Sequence, residues 1–270
     1  MLDQQQITPA MIDAGVRVLA AHNTLQSREQ LVREIFLQML AAKPPTVRSR
    51  SPTLSRFIER VPALSAEEAR RVEVICSAVP GFTDKRHYAF FKHLLASGPI
   101  DKLLILGVYA GRDVAFALDA ARELGRPLHV VGVDKFSDEY CDDWPEQSRA
   151  LNWQQAGFGQ APSFESAKAN LERLGFAGDR ILRKQRDEEF LGSCCERFDA
   201  IYLDTSHDYA TVVRQIRQAV GLLTEDGILC GDDYSDHGTW GVKRAVTELV
   251  PGHLVFANWI WIGARDQIKV

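Results

Sequence analysis

The sequence has few cysteines and no long hydrophobic run, and each shortage excludes a class of protein. Its five cysteines form an odd, scattered set, and the adjacent Cys194 and Cys195 lack the C-x-x-C spacing of a redox or zinc site. We therefore expect reduced thiols and a cytoplasmic location. No apolar stretch approaches the roughly 20 residues that a membrane helix needs. The first residues also lack the basic and apolar regions of a secretory signal.

An excess of positive charge is also missing. The formal net charge is −4 and the isoelectric point is about 6.0, which argues against nucleic acid as an obligatory partner. With 46% hydrophobic and 25% charged residues over a length of 270, the composition is typical of a globular protein. The length suits one large α/β domain with an appendage.

The first part of the chain, residues 1–99, is predicted to be a helical extension. Apolar residues recur at helical spacing over 1–42, and the proline-rich stretch 43–52 indicates an irregular connection. Further helices are predicted after Ser65 and over 84–97.

From residue 100 to residue 270, strands alternate with helices. This order predicts a doubly wound, mostly parallel α/β sheet, and the last two strands could form an antiparallel edge. The predicted strands are 102–108, 127–134, 180–185, 197–204, 226–233, 253–259 and 260–266.

The most informative residues follow two of these strands. Asp204 and His207 end one strand, and Asp232 and Asp233 end the next, so all four should lie at the carboxyl edge of the sheet, where open α/β proteins bind ligands. The three carboxylates suit Mg²⁺, and His207 suits a general base. Asp204 could instead be the N-cap of the next helix, and His237 is a lesser candidate for the base.

A glycine turn follows the first strand. Gly107 and Gly111 frame it, and Asp134 ends the second strand, where an acid often binds ribose hydroxyls. Tyr109 and Arg112 break the G-x-G-x-x-G pattern, which weakens a dinucleotide-binding interpretation. The alternative is a helix-packing turn without a ligand.

Residues 135–165 form a long insertion after the second strand. Loops of this length are often lids or disordered connections. Trp144 and Trp153 could wall a pocket for a sugar or aromatic acceptor, or could hold down a surface loop.

Several motifs together resemble a known family. They are LGVYAG, VVGVDKF, FDAIYLDTSHDYATVVRQI, LLTEDGILCGDDY and GVKRAV, in that order between residues 100 and 263. This pattern resembles class I S-adenosylmethionine-dependent methyltransferases, and more narrowly the macrocin O-methyltransferase and cephalosporin hydroxylase-like group. Residues 1–99 carry no such resemblance.

The resemblance implies a seven-stranded Rossmann-like sheet that binds S-adenosylmethionine and Mg²⁺. It implies Asp204, Asp232 and Asp233 as metal ligands and His207 as the base. The sequence departs from the family at Ile105, where an acid usually contacts the cofactor amino group. The predicted cofactor-binding residues are Gly107, Val108, Tyr109, Gly111, Asp134, Lys135, Asp187 and Asp204.

The expected function is thus a Mg²⁺-dependent O-methyltransferase acting on a hydroxyl of a small molecule, such as a sugar, a polyketide or another secondary metabolite. The alternatives are a nicotinamide-dependent oxidoreductase and a non-catalytic S-adenosylmethionine-binding protein. We expect no nucleic-acid or membrane partner. The N-terminal helices could also form contacts in a homo-oligomer.

Overall fold

The central feature of the fold is a seven-stranded sheet in the order β3-β2-β1-β4-β5-β7-β6. The computed structural model describes residues 51–57, 64–138, 152–154, 159–238 and 240–270. The predicted helices over 1–42 therefore lie outside the described residues, as do Trp144 and most of the insertion. The strands are β1 Lys102–Leu106, β2 His129–Asp134, β3 Leu182–Lys184, β4 Phe198–Leu203, β5 Leu223–Gly231, β6 Leu254–Phe256 and β7 Ile260–Ala264.

The five neighbouring strands β3, β2, β1, β4 and β5 are parallel, whereas β7 pairs antiparallel with both β5 and β6. The predicted doubly wound sheet with an antiparallel edge is confirmed. β5 begins at Leu223 and ends at Gly231, so the two acids lie just beyond the strand that was expected to contain them.

The helices cover both faces of the sheet. They are α1 Pro52–Phe57, α2 Ala66–Ala78, α3 Lys85–Ser97, α4 Arg112–Glu123, α5 Phe164–Arg173, α6 Gly178–Ile181, α7 Asp187–Ser193, α8 Tyr209–Val220 and α9 Val242–Leu249. The helices expected after Ser65 and over 84–97 are thus confirmed as α2 and α3. None of the helices in the described part of the chain is long and apolar enough to cross a membrane.

The continuous apolar sequence of β1 reflects burial on both faces. Leu103 and Ile105 pack into one hydrophobic cluster, and Leu104 and Leu106 pack into a second cluster on the opposite side. Alternate residues of a strand point to opposite faces, so a strand between two helical layers needs apolar residues throughout. The first cluster also contains buried apolar side chains of α2, α3 and α4.

Two helices begin with side-chain caps that set the geometry of the site. Asp84 caps α3 by accepting the backbone N–H of Arg86 at 2.8 Å. Asp208 caps α8 by accepting the N–H of Thr211 at 3.0 Å. The N-cap role considered for Asp204 was therefore wrong, because Asp208 stands directly before the first helical residue. Asp204 is left available for other contacts.

Candidate functional site

The turn after β1 is shaped by one glycine that no other residue could replace. Gly107 has a φ of +87°, and a Cβ atom there would lie 1.6 Å from the carbonyl oxygen of Asp204. β1 and β4 are therefore in direct backbone contact at their carboxyl ends. Gly111, with a φ of +97°, is the N-cap of α4.

Asp134 holds this turn in place. Its Oδ2 accepts the backbone N–H groups of Val108 and Tyr109, both at 2.9 Å, and its Oδ1 accepts that of Phe136 at 2.7 Å. The predicted contact of Asp134 with a ribose stays a prediction. The structure adds a further role, because these three bonds fix the backbone on which the cofactor is expected to lie. Lys135 follows Asp134 directly.

Asp187 lies at the start of α7, away from the glycine turn in sequence. It accepts a hydrogen bond from the side-chain amide of Gln215, which also donates to the hydroxyl of Thr205. This chain of contacts ties α7 to α8 and to the residue that follows Asp204. The predicted contact between Asp187 and the cofactor stays a prediction.

The carboxyl edge brings three predicted residues together. One potential ligand atom each from Asp204, His207 and Asp233 lies within 4.8 Å of the others, the one such group of His, Cys, Asp and Glu found in the described part of the chain. Nε2 of His207 lies 2.6 Å from Oδ2 of Asp233. The His207 ring stacks on Trp240 with centroids 4.3 Å apart.

The electrostatics of this cluster favour a cation. Burial and the charges of Asp232 and Asp233 raise the pKa of Asp204 well above its usual value. Carboxylates that raise one another's pKa are stabilised in the ionised form when a divalent cation binds between them. The residues present thus fit a Mg²⁺ ion, which prefers carboxylate oxygens.

Asp232 lies differently from its neighbour. Its Oδ2 is 2.8 Å from Nε2 of His87, and the two side chains are only 7% and 3% exposed. Its Oδ1 is buried without a hydrogen bond among the described residues. The group of close ligand atoms therefore includes His207 and does not include Asp232. Metal binding by Asp232 stays a prediction.

His87 is a site residue that the sequence did not indicate. It lies in the first turn of α3, where the backbone N–H of Asp84 donates to Nδ1 at 3.1 Å. Nε2 is therefore the protonated nitrogen, and it donates to Asp232. Burial opposes a charge on this imidazole, yet the contact with Asp232 raises the pKa of His87 overall. No motif around His87 points to this role.

Aromatic side chains flank the glycine turn. Phe82 packs on Tyr109 and Tyr109 packs on Trp153, with both pairs of ring centroids 5.4 Å apart. Phe82 is 68% exposed to solvent. Trp153 thus lies beside the turn, as a pocket wall requires. His237 is exposed and lies outside the cluster of ligand atoms.

Comparison with known proteins agrees with this geometry. Residues 104–234 match a family model described as a methyltransferase domain. No curated protein sequence matches significantly. Among solved structures, the O-methyltransferase NovP is similar with a TM-score of 0.52 and 15% identity, over 67% of this chain and 79% of that one.

The methyltransferase PaMTH1 of Podospora anserina, solved with S-adenosylhomocysteine bound, is similar with a TM-score of 0.50 and 12% identity. The match covers 89% of this chain and 97% of that one. At these identities the two structures support the fold, and the family match locates it within the chain. Residues 104–234 thus match a methyltransferase domain, within a seven-stranded α/β fold like that of class I methyltransferases.

Proposed function

We propose that this protein methylates a hydroxyl oxygen of a small molecule, with a divalent cation such as Mg²⁺ at the carboxyl edge. The observation that carries the proposal is the cluster of Asp204, His207 and Asp233. It combines carboxylates suited to a hard cation with an imidazole suited to taking a proton. NovP, a similar structure, is itself named an O-methyltransferase.

The chain's own residues have three tasks in this reaction. The turn from Gly107 to Gly111, held by Asp134, binds the cofactor, which supplies an electrophilic methyl group when bound. Asp204 and Asp233, with Asp232 beside them, would hold the cation, which would lower the pKa of a coordinated hydroxyl.

His207 takes the proton of the acceptor hydroxyl. The carboxylate of Asp233, 2.6 Å from Nε2, stabilises the imidazolium that forms, in the way a buried acid supports the histidine of a catalytic triad. Stacking on Trp240 holds the ring in place. Together these contacts hold the imidazole at the same edge as the proposed cation.

The class of acceptor follows from the surroundings of the site. Phe82, Tyr109 and Trp153 provide an aromatic wall beside the cofactor turn. Such a wall suits the flat face of a sugar or an aromatic ring, which agrees with a hydroxylated secondary metabolite as acceptor.

We also propose that the enzyme acts in the cytoplasm, without nucleic-acid or membrane partners. The four described cysteines, all unpaired, are compatible with that location.

The test is methyl transfer to a panel of catechols and hydroxylated sugars, followed as S-adenosylhomocysteine release with and without Mg²⁺. His207→Ala should lower the turnover rate by about 10²–10⁴-fold, the usual scale for loss of a general base, while cofactor affinity stays unchanged. His237→Ala is the matched control, because this exposed histidine lies on the neighbouring loop, between β5 and α9. Full activity in excess EDTA would remove the cation from the mechanism. Wild-type turnover by His207→Ala would remove the base.

A further inference from the structure

We propose that the carboxylate of Asp113 accepts the α-ammonium group of S-adenosylmethionine, in place of the acid that this chain lacks at position 105. The inference rests on the use of this cofactor. It assigns a specificity-determining residue to a position on a helix, whereas the family resemblance implies an acid on the strand.

Position 105 cannot supply a charge in this protein. Ile105 is fully buried and belongs to the hydrophobic cluster beneath α3 and α4. Its partners across the sheet are Gly132 on β2 and Tyr202 on β4. β1 therefore provides no acid at this position, and a cofactor ammonium at the end of this strand needs another partner.

Asp113 stands in the first turn of α4, two residues after Gly111. This is the same turn that carries the expected cofactor contacts. The side chain is 7% exposed, and its Oδ1 has no hydrogen-bond partner within the described ranges. A buried carboxylate without a full set of partners is costly, and burial raises the pKa of Asp113 to about 6.

Both like and opposite charges act on Asp113. Asp204 and Asp232 interact electrostatically with it as like charges, whereas His87, Arg112 and the Thr83 side chain interact with it favourably. The hydroxyl of Tyr202 is fully buried, interacts with the same acids and also has no partner among the described residues. Two buried oxygens that lack hydrogen bonds suit a ligand that brings several N–H donors and a positive charge.

An acid in the first turn of a helix is also favourable on its own. That effect explains the residue type, but it does not require the side chain to be buried with an unpaired oxygen. An acid that served the helix alone could stay in water, as the first-turn residues Glu188 and Glu189 of α7 do.

The experiment compares S-adenosylhomocysteine with an analogue that lacks the α-amino group, by calorimetry on the full chain. The wild type should bind the natural ligand at least tenfold more tightly than the analogue. Asp113→Asn should weaken the natural ligand at least tenfold and leave the analogue within twofold, so the preference disappears. Asp113→Ser serves the same purpose if the asparagine variant does not fold.

Asp119→Asn is the matched control. Asp119 is buried on the same helix, but its carboxylate already accepts the hydroxyl of Tyr88 at 3.0 Å and lies 3.4 Å from Arg71. This variant should lower stability and keep the ligand preference.

Three outcomes would overturn the inference. If Asp113→Asn keeps the wild-type preference, Asp113 does not contact the ammonium. If the variant loses Mg²⁺ affinity and keeps the preference, Asp113 belongs to the cation site. If the wild type binds neither ligand, the cofactor assignment itself fails, a result that differs from the other two.

Discussion

Single residues at the carboxyl edge carry charge that the fold only partly compensates. Asp204 and Asp113 both have raised pKa values, because burial and neighbouring carboxylates disfavour their ionised forms. A divalent cation must displace any proton on Asp204 before it binds. Cation affinity is therefore expected to increase with pH.

Asp113 gives a stability prediction that needs no ligand. Its pKa is raised from 3.8 to about 6 in the folded protein, so the folded state binds the proton more tightly than the unfolded state. The resulting destabilisation is absent below the unfolded pKa, grows as pH rises through this interval, and is fully present above the folded pKa.

Asp113→Asn should therefore raise the free energy of unfolding at pH 8 by roughly 2–3 kcal/mol, since one pKa unit corresponds to about 1.4 kcal/mol. Urea denaturation at pH 8 and at pH 5 measures the difference, which should shrink at the lower pH. A difference that is the same at both values would show that the charge of Asp113 is not its source.

At the scale of elements, the turn between β1 and α4 depends on close contact with the end of β4. Gly107→Ala should unfold this turn and abolish cofactor binding, because the new Cβ would overlap the carbonyl oxygen of Asp204. Gly125→Ala is the control, since Gly125 also has a positive φ, of +64°, but a Cβ added there would meet no atom within 4 Å. It should cost only the backbone strain of about 1–2 kcal/mol. Equal effects in both variants, by thermal unfolding and calorimetry, would contradict the steric argument.

Helix α3 contacts the site through His87, which bonds Asp232. His87→Ala leaves the carboxylate of Asp232 buried without its partner, which should cost about 1–3 kcal/mol of stability and also change Mg²⁺ affinity. His93→Ala is the control, because His93 is buried on the same helix and its Nε2 bonds the carbonyl of Phe57 at 2.9 Å. It should lower stability and leave Mg²⁺ affinity unchanged. If calorimetry shows the same Mg²⁺ affinity in both variants, His87 has only a packing role.

At the scale of the whole molecule, the methyltransferase match begins at residue 104, but the hydrophobic core begins earlier. Tyr88, Phe90, Phe91 and Leu94 of α3 are fully buried in the cluster that lines β1 and β4. Loss of each large apolar side chain from a core costs about 2–5 kcal/mol, so the four losses together match or exceed the roughly 5–15 kcal/mol that stabilises a typical domain.

A fragment of residues 100–270 is therefore expected to be unfolded, whereas a fragment of 51–270 should fold. Circular dichroism and thermal unfolding of the two fragments test this. A cooperative transition in the shorter fragment would show that α1 to α3 are dispensable. The longer fragment also tests the expectation that residues 1–42 contribute to oligomer contacts. If they do, this fragment should form an oligomer with fewer subunits than the full chain.

The sequence by itself determined the sheet, its carboxyl-edge acids and the family resemblance. Apolar runs that end in Asp134, Asp204 and Asp232 reveal these features. A strand buried on both faces is apolar throughout, and strands that alternate with helices indicate a parallel sheet, so both can be recognised along the chain. Gly107 and Gly111 were visible for the same reason, as breaks directly after a buried strand.

Only the tertiary structure decided which of these acids have partners. His87 and Asp232 are 145 positions apart in the chain, and Asp113 is close to both through packing of α3 and α4 on one face of the sheet. Such contacts depend on how the helices pack on the sheet, and this packing cannot be predicted from the spacing of residues along the chain. The physical reason is that burial and charge pairing are properties of the assembled core, so the pKa of Asp113 and the pairing of Asp232 arise only once the core has formed.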